Sequence, residues 1–164
     1  MESAYIGIGS NIGRKTDHCQ RAIFLMGRLE GCSVRAKSPF YRTEPVGVEG
    51  QDPYVNGVVI VDTDLSAGML LKRLLEIEAD MGRVRRKKWD ARVIDLDILL
   101  FGSRIIKTPD LIVPHPLMHL RRFVLTPLLQ VAPDLVHPVL RRSIRELAGL
   151  LPEDGQAVET YGRS

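Results

Sequence analysis

The chain has 164 residues, of which 45% are apolar and 26% are charged, and its net charge is +3. This length and composition predict one globular domain, residues 1–164, with a buried core, and they exclude a disordered chain. No apolar run approaches the ~20 residues that cross a bilayer. The opening "MESAYIGIGSNIG" lacks a basic segment before a long apolar run, so we expect neither a signal peptide nor membrane binding.

The positive charge is concentrated in one segment. Residues 83–92 carry six cations and one anion, a local charge of +5, so the rest of the chain is net negative. Such a cluster fits a compact anionic ligand better than a nucleic acid, whose partners usually spread positive charge over a face. Cys19 and Cys32 show no metal-ligand spacing, which predicts reduced thiols in a cytoplasmic protein.

The first half of the chain predicts three strands and a helix. "AYIGIGSN" predicts a strand at about residues 3–9. Thr16 or Asp17 is expected to cap the helix that follows, and Gly31 is expected to end it. "SVRAKSPFYRT" predicts a second strand that Pro39 interrupts, and "YVNGVVIVDTD" predicts a third.

The second half predicts one more helix and strand before a tail. Ser66 is expected to cap a helix that Gly82 ends, and "VIDLDILLFG" predicts the fourth strand, which turns at Gly102 into a hairpin with "RIIK". The order β-α-β-β-α-β predicts a ferredoxin-like α+β fold. Short helices broken by Pro127 and Pro133 follow, and the last helix begins with a capping box at Ser143 and Glu146.

Two aspartates on the fourth strand predict a metal site. Side chains alternate along a strand, so Asp95 and Asp97 point the same way, with Cα atoms roughly 6–7 Å apart. Carboxylates bind magnesium together with waters and phosphates, and paired ions about 3.5–4 Å apart occur in phosphoryl-transfer sites. Alone, the D-x-D pattern favours two solvated aspartates on an exposed strand face over a metal site.

The residues around these aspartates favour phosphate chemistry. Arginine binds phosphate with two parallel hydrogen bonds, and Arg83, Arg85 and Arg92 lie just before the aspartates. Trp89 within this basic loop suggests a ligand or lid contact, or equally an anchor of the loop to the body of the protein. "GIGSNIG" matches neither a dinucleotide fingerprint nor a Walker loop. His115 and His119 lack the zinc pattern H-E-x-x-H, so we expect phosphate or nucleotide contacts from His115 and from Arg121, unless these residues only pack.

Five blocks of the sequence together resemble a known family. "GRVRRKKWDARVIDLDILLFG" and "VPHPLMHLRRFVLTPL", preceded by "AYIGIGSNIG", "SPFYRTEPVG" and "DPYVNGVV", are similar to 6-hydroxymethyl-7,8-dihydropterin pyrophosphokinases of folate biosynthesis. The resemblance covers about residues 4–135 and implies a ferredoxin-like fold. It also implies transfer of diphosphate from ATP to the pterin hydroxymethyl group, with attack at the β-phosphorus and loss of AMP.

The resemblance also implies roles for individual residues. Asp95 and Asp97 would hold two magnesium ions, with Arg83 and Arg92 on the transferring group. Arg85, Trp89, His115, Arg121 and the backbone near Ile98 would contact ATP. Tyr54 and Phe123 would stack on the pterin, with Asn56 and the backbone near Thr43 and Val46 reading its edge. Pro116 and Leu75 depart from the family pattern.

Two rival functions stay open from the residues alone. An RNA-binding module would need exposed aromatic residues on its central strands, but aromatic residues make up only 5% of the chain. A regulatory domain that binds a small ligand explains the fold but not the adjacent aspartates and arginines. We therefore expect an enzyme that uses ATP, magnesium and a pterin, works as a monomer, and binds neither nucleic acid nor membrane.

Overall fold

A computed structural model describes residues 1–43, 53–82, 93–152 and 158–160. The strands are β1 (Glu2–Ser10), β2 (Cys32–Lys37), β3 (Tyr41–Thr43), β4 (Tyr54–Thr63), β5 (Asp95–Phe101), β6 (Ile106–Lys107), β7 (Ile112–Val113) and β8 (Val158–Thr160). The helices are α1 (Lys15–Gly27), α2 (Ala67–Asp80), α3 (Arg122–Val131) and α4 (Ile144–Gly149), with a 3-10 turn at Met118–Leu120.

The main sheet has the order β5-β1-β4-β3-β8, and β2 pairs with β4 beside β3. Its pairings are antiparallel. The predicted α+β fold is confirmed, and so is the break in the second strand. At that break, Ser38 bonds Val58 both through its backbone N–H and through its hydroxyl, which accepts the Val58 N–H. The strand is therefore divided into β2 and β3 at Pro39.

The sheet separates two apolar cores. In β1, Ala4, Ile6 and Ile8 point to the core under α1 and α2, whereas Tyr5 points to the core under α3 and α4. The pairing of β5 with β1 shifts register between Tyr5 and Ile6. Leu99 faces the second core by alternation with Asp95 and Asp97, and because of the bulge the next residue, Leu100, packs into the same core. The face of β5 that carries Asp95 and Asp97 is open at the start of the strand, whereas at Leu99 and Leu100 it is covered by the second core.

The helix ends follow the predictions only in part. Ser66 caps α2 by accepting the Met69 N–H at 3.2 Å, as predicted. The predicted cap at Thr16 or Asp17 is wrong, because α1 already begins at Lys15 and its cap position, Arg14, makes no side-chain cap bond. Gly31 also does not end this helix, which stops at Gly27, although Gly31 takes the left-handed φ of +80° in the turn that follows.

Two further expectations about the second half are wrong. The segment after Gly102 does not pair with β5, since β6 pairs with β7 and the backbone of His115 takes the edge of β5 by donating to Leu99 O at 2.9 Å. Pro127 does not break its helix but lies inside α3 on the buried face, where packing offsets the lost backbone bond. The capping box at Ser143 and Glu146 is confirmed.

Within the described ranges, no helix combines the length and the apolar character that crossing a membrane requires.

Acid is expected to destabilise the fold through His137. This residue is buried, and its Nδ1 accepts the backbone N–H groups of Val139 at 3.2 Å and Leu140 at 3.1 Å. Burial lowers the pKa of His137 below its usual value, and the nearby His119 lowers it further. In the unfolded chain the pKa of His137 is about 6.5, and above that pH the contribution of the neutral ring to stability is fully present. This contribution is lost as the pH falls through the lower pKa that His137 has in the folded protein.

The measurement is the free energy of unfolding in urea between pH 8 and pH 5. We expect it to fall more steeply with acid in the unmodified protein than in His137→Gln, which has no ring to protonate. Equal slopes in the two proteins would show that His137 does not carry this pH dependence.

Candidate active site

Asp95 and Asp97 lie on the same face of β5, as their spacing predicted. Leu96 and Ile98 are buried in the core under α1 and α2, whereas Asp95 is half-buried and Asp97 is exposed on the opposite face. Within the described ranges, no third His, Cys, Asp or Glu completes a metal-binding group around them. A donor set of two carboxylates fits magnesium, whose other ligands are commonly waters and substrate phosphates.

Two glycines of β1 lie beside these aspartates, so no side chain covers the sheet backbone at those two positions. Gly7 pairs with Asp97, and Gly9 pairs with Asp95 on one side and with Asn56 of β4 on the other. Neighbouring strands lie about 4.8 Å apart, so the Cα atoms of Asp95 and Asn56 are roughly 10 Å apart with only backbone between them. The segment "GIGSNIG" is thus not a nucleotide-binding loop, as predicted, because its first two glycines belong to a strand. We call Gly7 and Gly9 the glycine strip.

Asn56 borders the glycine strip in a fixed orientation. Its side chain is buried, and its Oδ1 accepts the Thr43 hydroxyl at 2.5 Å. The Nδ2 atom faces β1, since a Cβ atom added at Gly9 would lie 2.9 Å from it. Tyr54, half-buried two residues before Asn56, lies 3.7 Å from the same point. An amide N–H and an aromatic ring therefore line one side of the strip.

His115 lies beside β5 near the aspartates. Its backbone donates to Leu99 O, and its Nδ1 accepts the Leu117 N–H at 3.2 Å. The proton of the neutral ring is therefore on Nε2. Burial lowers the pKa of His115 below its usual value, the carboxylate of Asp97 opposes this shift, and the charge of Arg121 adds to it. The ring can thus donate a hydrogen bond while neutral.

Arg121 and Phe123 join this group at the start of α3. The Arg121 guanidinium lies over the Phe123 ring, with Cζ 5.4 Å from its centroid. The helix packs against Val58 and Ile60 of β4, which point to the same side as Tyr54 because they lie two-residue steps along the strand. Both rings predicted to stack on the pterin, Tyr54 and Phe123, therefore lie on one side of the sheet.

The backbone groups of Ile98 are directed to the outer edge of β5, the edge that faces away from β1. The N–H of Leu96 bonds the Glu78 carboxylate of α2 at 2.8 Å and so points away from β1. Alternate residues of a strand direct their backbone groups the same way. Ile98 N–H and C=O therefore point to the same edge as Leu96 N–H, although the Ile98 side chain is buried in the core.

Comparison with known proteins identifies the family. Residues 5–133 match the family model of 7,8-dihydro-6-hydroxymethylpterin-pyrophosphokinase, abbreviated HPPK. The chain belongs to this family. As a pyrophosphokinase it is an enzyme, a transferase that moves a diphosphate group.

Close HPPK relatives occur in bacteria. A 2-amino-4-hydroxy-6-hydroxymethyldihydropteridine pyrophosphokinase of Haemophilus influenzae is 41% identical over 138 residues, which cover 84% of this chain and 86% of the relative. A protein of the same name from Methylorubrum extorquens is 41% identical over 160 residues, which cover 97% of this chain and all of the relative.

Solved HPPK-DHPS structures share the fold. The Plasmodium falciparum HPPK-DHPS structure with pteroate has a TM-score of 0.74 and 16% identity, and the match covers 90% of this chain. The chain spans only 42% of that longer protein. At this identity the likeness shows the fold alone.

Five predicted HPPK site residues lie outside the described residues, and their roles stay predictions. They are Val46, Arg83, Arg85, Trp89 and Arg92. Two features were missed at the sequence level. The strip formed by Gly7 and Gly9 was signalled by glycines spaced two apart on a strand, and Glu78 was signalled by a charged residue on the apolar stripe of a helix.

Proposed function

We propose that this HPPK transfers the β,γ-diphosphate of ATP to the hydroxymethyl oxygen of 6-hydroxymethyl-7,8-dihydropterin, in folate biosynthesis. The pterin oxygen would form a bond to the β-phosphorus while the bond from that phosphorus to the α,β-bridging oxygen breaks. The products are AMP and the pterin diphosphate, and the hydroxyl proton is released. The names of the bacterial relatives support this substrate.

The metal-binding role belongs to Asp95 and Asp97. Their shared face and oxygen-only donor set support two magnesium ions held together with the phosphates of ATP. When bound, such ions neutralise charge on the transferring diphosphate. Arg83 and Arg92 would neutralise negative charge on the same group, and Arg85 and Trp89 would contact ATP and help to exclude water.

ATP would lie along the outer edge of β5, which faces away from β1. The outward N–H and C=O of Ile98 are suited to the adenine edge, which both donates and accepts hydrogen bonds. A neutral His115 with its proton on Nε2 is suited to donate to a phosphate oxygen. Arg121, whose charge contributes to the lowered pKa of His115, would balance the phosphate charge.

The pterin would lie on the glycine strip. Tyr54 and Phe123 would contact its ring faces, and the Nδ2 of Asn56 would donate to its edge. Backbone groups near Thr43 and Val46 would complete the recognition. The observation that carries the proposal is that Asp95, Gly9 and Asn56 lie side by side on three neighbouring strands. This arrangement leaves room for the flat pterin ring over Gly9, between the metal-binding carboxylates and the Asn56 amide.

The decisive experiment is an assay with ATP, magnesium and 6-hydroxymethyl-7,8-dihydropterin that separates AMP from ADP. We expect AMP only when pterin and magnesium are both present. ADP would mean transfer of the γ-phosphoryl group and would contradict attack at the β-phosphorus. Formation of neither nucleotide by folded protein would favour the RNA-binding or regulatory functions.

We further propose that the enzyme is one domain, acts as a monomer and works in the cytoplasm. The described site residues lie side by side on one sheet of a single chain, in the row Asp95, Gly9 and Asn56, which supports a monomer. Both cysteines are free, which suits a reducing compartment. Light scattering at the assay concentration tests the monomer, and a dimer mass would contradict it.

A further inference from the structure

Helix α2 buries a carboxylate against the strand that carries the two aspartates. Glu78 is 3% exposed and lies among apolar residues of this helix, next to Leu74 and Ile77. Its Oε2 accepts the Leu96 N–H at 2.8 Å. Burying a charged group is costly unless it is hydrogen-bonded, and an apolar residue would suit helix–strand packing better. The carboxylate at this position therefore calls for a role beyond packing.

The position of that hydrogen bond suggests the role. Leu96 N–H belongs to the peptide unit that joins Asp95 to Leu96, one residue before Asp97. In the described part of the sheet, β5 is an edge strand, and edge groups that face away from the sheet have no strand partner. Glu78 takes the place of that partner at the peptide between the two proposed metal-binding residues.

We propose that Glu78 is a positioning residue for the metal-binding carboxylates of β5. Its carboxylate oxygen holds the Asp95–Leu96 peptide, and this fixes the direction in which Asp95 and Asp97 leave the strand. Metal ligands need such support, since small displacements of a ligand are costly for catalysis. This role rests on the proposed function. It depends on an oxygen atom that a side chain as long as glutamate can place within hydrogen-bonding distance of Leu96 N–H, and not on the negative charge of that side chain.

Two conservative variants distinguish the effect of the side-chain length at position 78 from the effect of its negative charge. Glu78→Gln keeps the acceptor within reach of Leu96 but removes the charge, whereas Glu78→Asp keeps the charge but withdraws the acceptor by one methylene. We measure Mn²⁺ affinity by electron paramagnetic resonance with α,β-methylene-ATP present, together with kcat, both KM values and Tm. We expect Glu78→Asp to lose about 10–100-fold in Mn²⁺ affinity and in kcat, with the KM for pterin unchanged. Glu78→Gln should stay close to the unmodified protein.

The controls are Glu76→Gln and Glu76→Asp on the same helix. Glu76 is exposed and pairs with Arg73 within α2, so neither change should alter Mn²⁺ affinity. Unchanged Mn²⁺ affinity in Glu78→Asp would overturn the proposal, even with a lower Tm, because the residue would then only stabilise the fold. Equal losses in Glu78→Gln and Glu78→Asp would also overturn it, because charge would then matter. The Mn²⁺ comparison needs no turnover, so a failed AMP assay would refute the proposed function without deciding the role of Glu78.

Discussion

Asp97→Asn is expected to lower kcat for diphosphate transfer by roughly a thousandfold. Asp97 is exposed on the open face of β5, and asparagine keeps its shape but removes the charge that would hold a cation. Metal ions supply several kcal/mol of transition-state stabilisation in phosphoryl transfer, and each 1.36 kcal/mol corresponds to a factor of ten in rate. Because the side chain packs against no core, stability should change little.

The measurement is the initial rate of AMP formation at saturating ATP and pterin over a range of magnesium concentrations. Asp62→Asn is the matched control, since Asp62 lies on β4 near the far end of the sheet and pairs with Arg35 and Ser3. It should keep normal turnover, although loss of these bonds costs a little stability. An Asp97→Asn enzyme within tenfold of the unmodified rate would contradict a metal-binding role for this residue.

Features that involve only residues close in sequence, such as side-chain alternation on a strand and the cap of a helix, can be predicted from patterns along the chain. The alternation of Asp95, Leu96 and Asp97 predicts which side chains face solvent, because the period of a strand is two. Ser66 before an apolar stripe predicts the start of α2 because a hydroxyl is needed there to accept a backbone N–H. Such features depend on neighbouring residues only, so a sequence carries them directly.

The site itself depends on which residues of neighbouring strands lie side by side. Patterns of residues along one segment of the chain do not give this information. Gly9 lies between Asp95 and Asn56 only because the register of β1 against β4 and β5 puts it there. His115 lies beside Leu99 because the chain returns to the edge of β5, where the sequence suggested a hairpin instead. The family resemblance supplies the residues of the site, while the pairing of the strands supplies the distances between them.

Gly9→Ala is expected to weaken pterin binding about a hundredfold while leaving the affinity for α,β-methylene-ATP unchanged. The added Cβ would lie 2.9 Å from Asn56 Nδ2, too close for an unstrained contact. Asn56 cannot easily move away, because it is buried and Thr43 holds its Oδ1. Leaving a buried hydrogen-bonding group unpaired costs about 1–3 kcal/mol, and about 2.7 kcal/mol corresponds to a hundredfold in affinity. Calorimetry with the pterin, in the presence of the ATP analogue, measures the change.

A double-mutant cycle tests the reason for this loss. If the methyl group acts through the amide, then adding Gly9→Ala to Asn56→Ala should cost little more than Asn56→Ala alone, since the displaced group is already gone. Gly68→Ala is the control for replacing a glycine, because a Cβ there meets no atom within 4 Å. Fully additive losses would mean that the methyl group blocks the pterin itself. The glycine strip would then act as the floor of the pterin site, and Asn56 would bind independently of it.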